Sequence, residues 1–129
     1  MILIDANVLI WCMVGDKRLG NKAREILAQH ETALSISLLT LFEIELKRRV
    51  NKLEIQSPIS NFLDIFGVEV YSPSANELHE IMGLKINHSD PFDCALIGLA
   101  KLKGWAVMAS NDPLEKVGSG LVTIIDSKK

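Results

Sequence analysis

Short apolar runs suited to strands alternate with segments of helical periodicity along this chain of 129 residues, and that alternation restricts its fold more than any other feature. Ile2-Leu3-Ile4 reads as a buried strand. Ala33 to Ile36, Val68 to Tyr71 and Trp105 to Ala109 read as further strands, and Leu121 to Ile124 as a fifth. Between them, Asn21 to His30 reads as a helix with Asn21 as its candidate N-cap. Ser37 opens a long helix to about Lys52, and Ser57-Pro58 reads as a cap followed by proline in the first turn of another. Ser74 and Glu77 form a capping box for a helix to about Met82. Asp90-Pro91 starts a helix that runs to Lys103 and stops at Gly104. Apolar strands separated by helices imply an α/β fold with a parallel sheet of four to five strands. Ligands of such sheets bind outside the carboxyl ends of the strands, so functional residues are expected just after strands.

The length suits one domain, residues 1–129, and the hydrophobic fraction of 48% is enough to fill its core. The first residues carry no basic segment ahead of an apolar run, and the longest apolar runs, Val8 to Val14 and Cys94 to Ala100, are too short to span a bilayer. A cytoplasmic protein with no membrane partner is therefore expected. The two cysteines, Cys12 and Cys94, match no metal-ligand spacing and read as buried small hydrophobes. The net charge of −2 argues mildly against a nucleic-acid partner. That objection weakens if several acids gather at one metal site and leave the remaining surface neutral or basic.

Four acids stand at informative places. Asp5 directly follows the first strand, where it is either the N-cap of the next helix or part of a site. On the helix from Ser37, Leu39, Phe42, Leu46, Val50 and Leu53 form one apolar stripe at about 100° per residue. Glu43 falls roughly 60° from its centre and Glu45 about 100°, which makes Glu43 the acid nearer the core. Both have a cation four residues on, Lys47 and Arg49, so a surface ion pair is the ordinary explanation for each. Asp93 belongs to Asp90-Pro91-Phe92-Asp93, in which Asp90 caps the helix and Asp93 faces its positive end. Asp112 closely follows the fourth strand and opens a similar Asp-Pro pattern. Singly, each acid is explained by capping or pairing. Together they can meet at one sheet edge, where carboxylates repel until a hard divalent cation relieves them.

The blocks Asp5-Ala6-Asn7-Val8-Leu9, Phe42-Glu43-Ile44, His88-Ser89-Asp90-Pro91-Phe92-Asp93 and Ser110-Asn111-Asp112, in this order and spacing, resemble the PIN-domain family, and within it the VapC-like toxins of bacterial toxin–antitoxin pairs. The resemblance spans nearly the whole chain. It implies a PIN-like three-layer α/β/α sandwich and a metal-dependent endoribonuclease that cleaves single-stranded or loop RNA. It further implies Mg²⁺ or Mn²⁺ held by Asp5, Glu43, Asp93 and Asp112, with Asn7, Asp90 and Ser110 in support. A homodimer and a cognate antitoxin follow from the same likeness. One departure is Cys94, at a position where related toxins often carry Arg, and it bears on target choice and catalytic vigour.

RNA would need cations near the acids, and Lys47, Arg48, Arg49, Lys52, Lys101 and Lys103 are the candidates, against the simpler reading of solvated helix faces. Trp11 and Trp105 are assigned to core or dimer packing rather than base stacking, and His30 and His79 to the helix surface. A haloacid-dehalogenase phosphatase would need an acid at Asn7, and a response-regulator receiver would need a phosphoacceptor where the third strand runs into Tyr71-Ser72-Pro73. The standing alternative is a non-catalytic RNA- or antitoxin-binding module on the same fold.

Overall fold

Three consecutive apolar residues, Ile2–Ile4, form the central strand β1 of a five-stranded sheet. The computed structural model describes residues 1–29, 33–50, 57–86, 90–110 and 122–129. The other strands are β2 (Leu34–Ser37), β3 (Val68–Tyr71), β4 (Ala106–Ala109) and β5 (Ile124–Asp126). All described pairings are parallel, in the order β3-β2-β1-β4-β5. The chain runs outward from β1 through β2 to β3, then returns to β4 on the other side. The carboxyl ends of β1 and β4 therefore flank the point where strand order reverses, the usual place for a ligand.

Successive strand residues point to opposite faces, and each face has its own core. Ile4, Leu34, Ile36, Val68 and Met108 pack with α1 (Ala6–Val14), α2 (Asn21–Ala28), α3 (Leu38–Arg49) and α4 (Ile59–Phe66). Leu3, Val107 and Ala109 pack with α5 (Ala75–Gly83) and α6 (Pro91–Lys103). Helices cover both faces, as the α/β/α expectation requires. Packing between α5 and α6 is close enough that a Cβ on Gly98 would lie 2.5 Å from Ile81 Cγ2. No helix of the described residues is long and apolar enough to cross a membrane.

The capping signals of α5 and α6 are present, while the Asp112-Pro113 pattern lies outside the described residues. Ser74 and Glu77 form both bonds of the capping box, Asp90 caps α6 with Pro91 in its first turn, and Gly104 ends it at φ +70°. Two caps differ from expectation. Gly20, not Asn21, is the N-cap of α2, and Pro58, not Ser57, that of α4, neither with a side-chain bond. At Gly20 the C-terminal backbone lies too close to admit a side chain. β4 begins at Ala106, and β5 lies later than Leu121 to Ile124 because its pairing with β4 matches Val107 to Ile124 and Ala109 to Asp126.

The largest correction concerns α3. Most of the stripe does not face the core: Phe42 is 56% exposed and Val50 59%, Leu46 is exposed as well, and Leu39 is half-buried. Thr40 and Ile44, one turn apart, are the buried residues instead. Helical periodicity located the apolar stripe correctly but cannot say whether the body of the domain or another surface covers it. Leu53 lies outside the described residues.

Candidate active site at the carboxyl edge of the sheet

Asp5 leaves β1 and caps α1, its Oδ1 accepting from Val8 N–H at 2.9 Å. Its Oδ2 accepts from the backbone N–H of Ser110 at 2.7 Å and from the Ser110 hydroxyl at 2.5 Å. Ser110 directly follows β4, so these two bonds tie together the neighbouring strand ends at the reversal point. Asp5 is only 4% exposed, and three hydrogen bonds make that burial tolerable. Burial pushes its carboxyl above the ordinary range. The bonds from Ser110 and Val8 oppose that shift, and the charge of Glu43 adds to it.

Glu43 is half-buried on α3, while Glu45 is exposed, so Glu43 is the inner acid even though the stripe used to place it faces outward. It lies beside the buried pair Thr40 and Ile44, one residue from Ile44. Burial raises its carboxyl too. Lys47 counters this, with Nζ 3.5 Å from Oε2, and the charges of Asp90 and Asp93 reinforce it. Helices α3 and α6 meet here. Asp90 accepts from Phe92 and Asp93 N–H at 2.8 and 3.2 Å, which holds Asp93 in the first turn of α6.

Asp5, Glu43, Asp90 and Asp93 are thus brought into one electrostatic neighbourhood. Among the described residues, however, no three His, Cys, Asp or Glu side chains are drawn closely enough together to hold an ion as they stand. Asp112, with His88 and Asn111, lies outside the described residues. The donor chemistry does fit a hard divalent cation. The acids present oxygen ligands, and two of them are held above their ordinary protonation range by burial and mutual repulsion, which bound positive charge would relieve. Asn7 is half-buried in the first turn of α1.

The candidate cations separate. Lys47 reaches a site acid, whereas Arg48 pairs with Glu45 on the outer side at 3.3 Å. Arg49 is exposed in the last turn of α3. Lys101 is exposed on α6, about 12 Å along the helix from Asp93. Lys103 belongs elsewhere, bridging Glu77 at 2.6 Å over the Tyr71 ring. Trp11 is buried and Trp105 packs edge-on against Tyr71, as assigned, and His79 is exposed. Both cysteines are half-buried.

Two features were not anticipated. Phe42 and Phe92, each immediately before a site acid, contact one another with centroids 6.4 Å apart. Beside them an apolar groove of about 560 Å³ runs between α3 and α4, lined by Leu38, Leu41, Phe42, Ile59 and Leu63 among others. Two residues of the α3 stripe expected to face the core, Leu39 and Phe42, line it instead.

The family model described as "PIN domain" matches residues 2–118. No curated protein sequence matches the chain. Among solved structures, the fold is similar to a toxin–antitoxin complex from Klebsiella pneumoniae, with a TM-score of 0.63 and 16% identity over 98% of each chain. It is also similar to VapBC2 from Rickettsia felis bound to a DNA fragment from its promoter, with a TM-score of 0.68 and 16% identity over 97% of this chain and 98% of that one.

Proposed function

The chain belongs to the PIN domain family, and on that premise we propose that it is a metal-dependent endoribonuclease, the toxin of a toxin–antitoxin pair, acting as a single domain in the cytoplasm. The observation that carries this reading is the anchored carboxylate of Asp5 at the strand-order reversal, with the charge of Glu43 acting on it and those of Asp90 and Asp93 acting on Glu43. Asp5, Glu43, Asp93 and Asp112 would hold Mg²⁺ or Mn²⁺. When bound, such an ion supplies activation of water and neutralisation of charge at the phosphate.

The chain's own residues do the rest. Ser110 and Val8 fix the Asp5 carboxylate, so the donor is oriented before substrate arrives. Asp90 orders the first turn of α6 and thereby places Asp93. The overall reaction adds water across one P–O bond of the RNA backbone, leaving a phosphate monoester and a hydroxyl. Asn7 and Arg49 would help position water and substrate. Cleavage of an RNA panel with Mg²⁺, with EDTA and by Asp5→Asn tests the reading. Loss in the last two supports it, and equal cleavage in all three ends it.

The partner half of the reading is supported by the apolar groove between α3 and α4, a surface suited to a protein segment rather than to phosphate. Both similar structures are toxin–antitoxin complexes. We assign the groove to the antitoxin, with the toxin a homodimer. Co-purification with the product of a small adjacent reading frame, lost on substitution in the groove, tests this. A binding module without catalysis would keep that co-purification and cleave nothing.

A further inference from the structure

Among the cations of α3 and α6, Lys47 stands apart by its position. Its ammonium lies 3.5 Å from Glu43 Oε2, inside the acid neighbourhood, and it leans on an inner acid where Arg48 leans on an outer one. The pair is intermediate in character: the Lys47 side chain is 34% exposed and that of Glu43 20%. Lysine is therefore screened enough to leave and close enough to matter.

We propose that Lys47 is a positioning residue that serves the metal-free site as a built-in counter-cation, holding Glu43 in place and yielding it to an incoming divalent ion, so that Lys47 sets the metal affinity of the site. The proposal rests on the metal-site reading above and deepens it. An ion held by Glu43 would repel an ammonium resting against the same carboxylate and so compete with it. One helical turn separates the two side chains, so Lys47 is always at hand when the ion leaves. A partly exposed i,i+4 pair at 3.5 Å is a modest tie, which lets the exchange proceed without unfolding the helix. Loading then depends on metal concentration: Glu43 stays neutralised and aimed when metal is scarce, and is released when metal is abundant.

The test uses the whole protein stripped of metal and titrated with Mn²⁺, free ion being followed by electron paramagnetic resonance. Wild type, Asp5→Asn, Lys47→Met, Lys47→Gln, Lys47→Arg and Lys101→Met are compared. Lys47→Met and Lys47→Gln should bind Mn²⁺ roughly three- to tenfold more tightly, since the competitor is gone. Lys47→Arg and Lys101→Met should stay within about twofold of wild type, the first because it keeps the charge, the second because it lies about 12 Å along α6 from Asp93. In EDTA, Lys47→Met should melt below wild type, and saturating Mn²⁺ should close that gap. Unchanged or weaker binding by Lys47→Met and Lys47→Gln overturns the proposal, as does an equal gain in Lys101→Met. If wild type takes up no Mn²⁺ and matches Asp5→Asn, the metal-site reading fails and takes the proposal with it.

Discussion

The Asp5 carboxylate and Ser110 are joined by two hydrogen bonds across 105 residues of sequence, from the end of β1 to the end of β4. Removing the hydroxyl with Ser110→Ala leaves the backbone bond but strips a buried carboxylate of its shortest contact. The variant should lose about 1–3 kcal/mol in urea unfolding. On the proposed function, in which Asp5 holds the metal, its RNA cleavage with Mg²⁺ should fall by about 10- to 100-fold, as for groups that orient a metal ligand. Ser110→Thr retains the hydroxyl and should remain within a few-fold of wild type. Full activity in Ser110→Ala would show that Asp5 needs no such orientation.

Leu38 lines the groove between α3 and α4 while half of its side chain is exposed. Leu38→Glu should therefore leave folding stability within about 0.5 kcal/mol. It should weaken association with the antitoxin by at least roughly tenfold, the cost of truncating or charging a central apolar contact. Affinity measured by calorimetry and Tm measured on the same preparation separate the two effects. An unchanged affinity would remove the groove from the partner interface.

Gly98 faces the buried side chain of Ile81, where an added Cβ meets Cγ2 at 2.5 Å. Helix propensity alone would make Gly98→Ala favourable by about 1 kcal/mol. Overpacking between α5 and α6 costs more, and a net loss of about 1–2 kcal/mol is expected from chemical denaturation. A stabilised Gly98→Ala would mean that the two helices separate easily.

Glu77 binds Lys103, the Ser74 backbone and the Tyr71 hydroxyl, and these contacts pull its carboxyl down to about 2 from 4.5. Lys103 is pushed up to about 12 from 10.5, first by its hydrogen bond to Glu77. The stability contributed by Glu77 is present above pH 4.5 and fades as pH falls towards 2. That contributed by Lys103 is present below pH 10.5 and fades as pH rises towards 12. Lys103→Met should lower Tm at pH 7, and its gap to wild type should narrow as pH falls towards 2, where the carboxyl is about half protonated. A constant gap across that range would assign the loss to packing of the lysine stem.

Much of the fold was legible because its signals are local. Asp90-Pro91 and Gly104 bracket α6 through fixed backbone chemistry, and Ser74 with Glu77 does the same for the start of α5. The apolar stripe of α3 was legible as a stripe but not as an outward one. Orientation depends on what packs against the helix, and Thr40 and Ile44 won the inner face. The same holds at the site. Asp5 could be read as a cap, and it is one, but its bond to Ser110 depends on β1 and β4 being neighbours, a matter of strand order. The choice among Lys47, Arg48 and Arg49 was likewise beyond periodicity, since successive residues differ by only about 100° in azimuth.

The hydrogen bonding of Asp5 also restricts its denticity. A carboxylate oxygen offers about two lone pairs. Ser110 fills both on Oδ2, and Val8 takes one on Oδ1. Among the described residues a single acceptor direction is left, so an ion at this aspartate would be held through one atom rather than chelated. On the metal-site reading proposed above, the remaining coordination would come from Glu43, Asp93 and Asp112 or from water, leaving room in the shell for a phosphate oxygen.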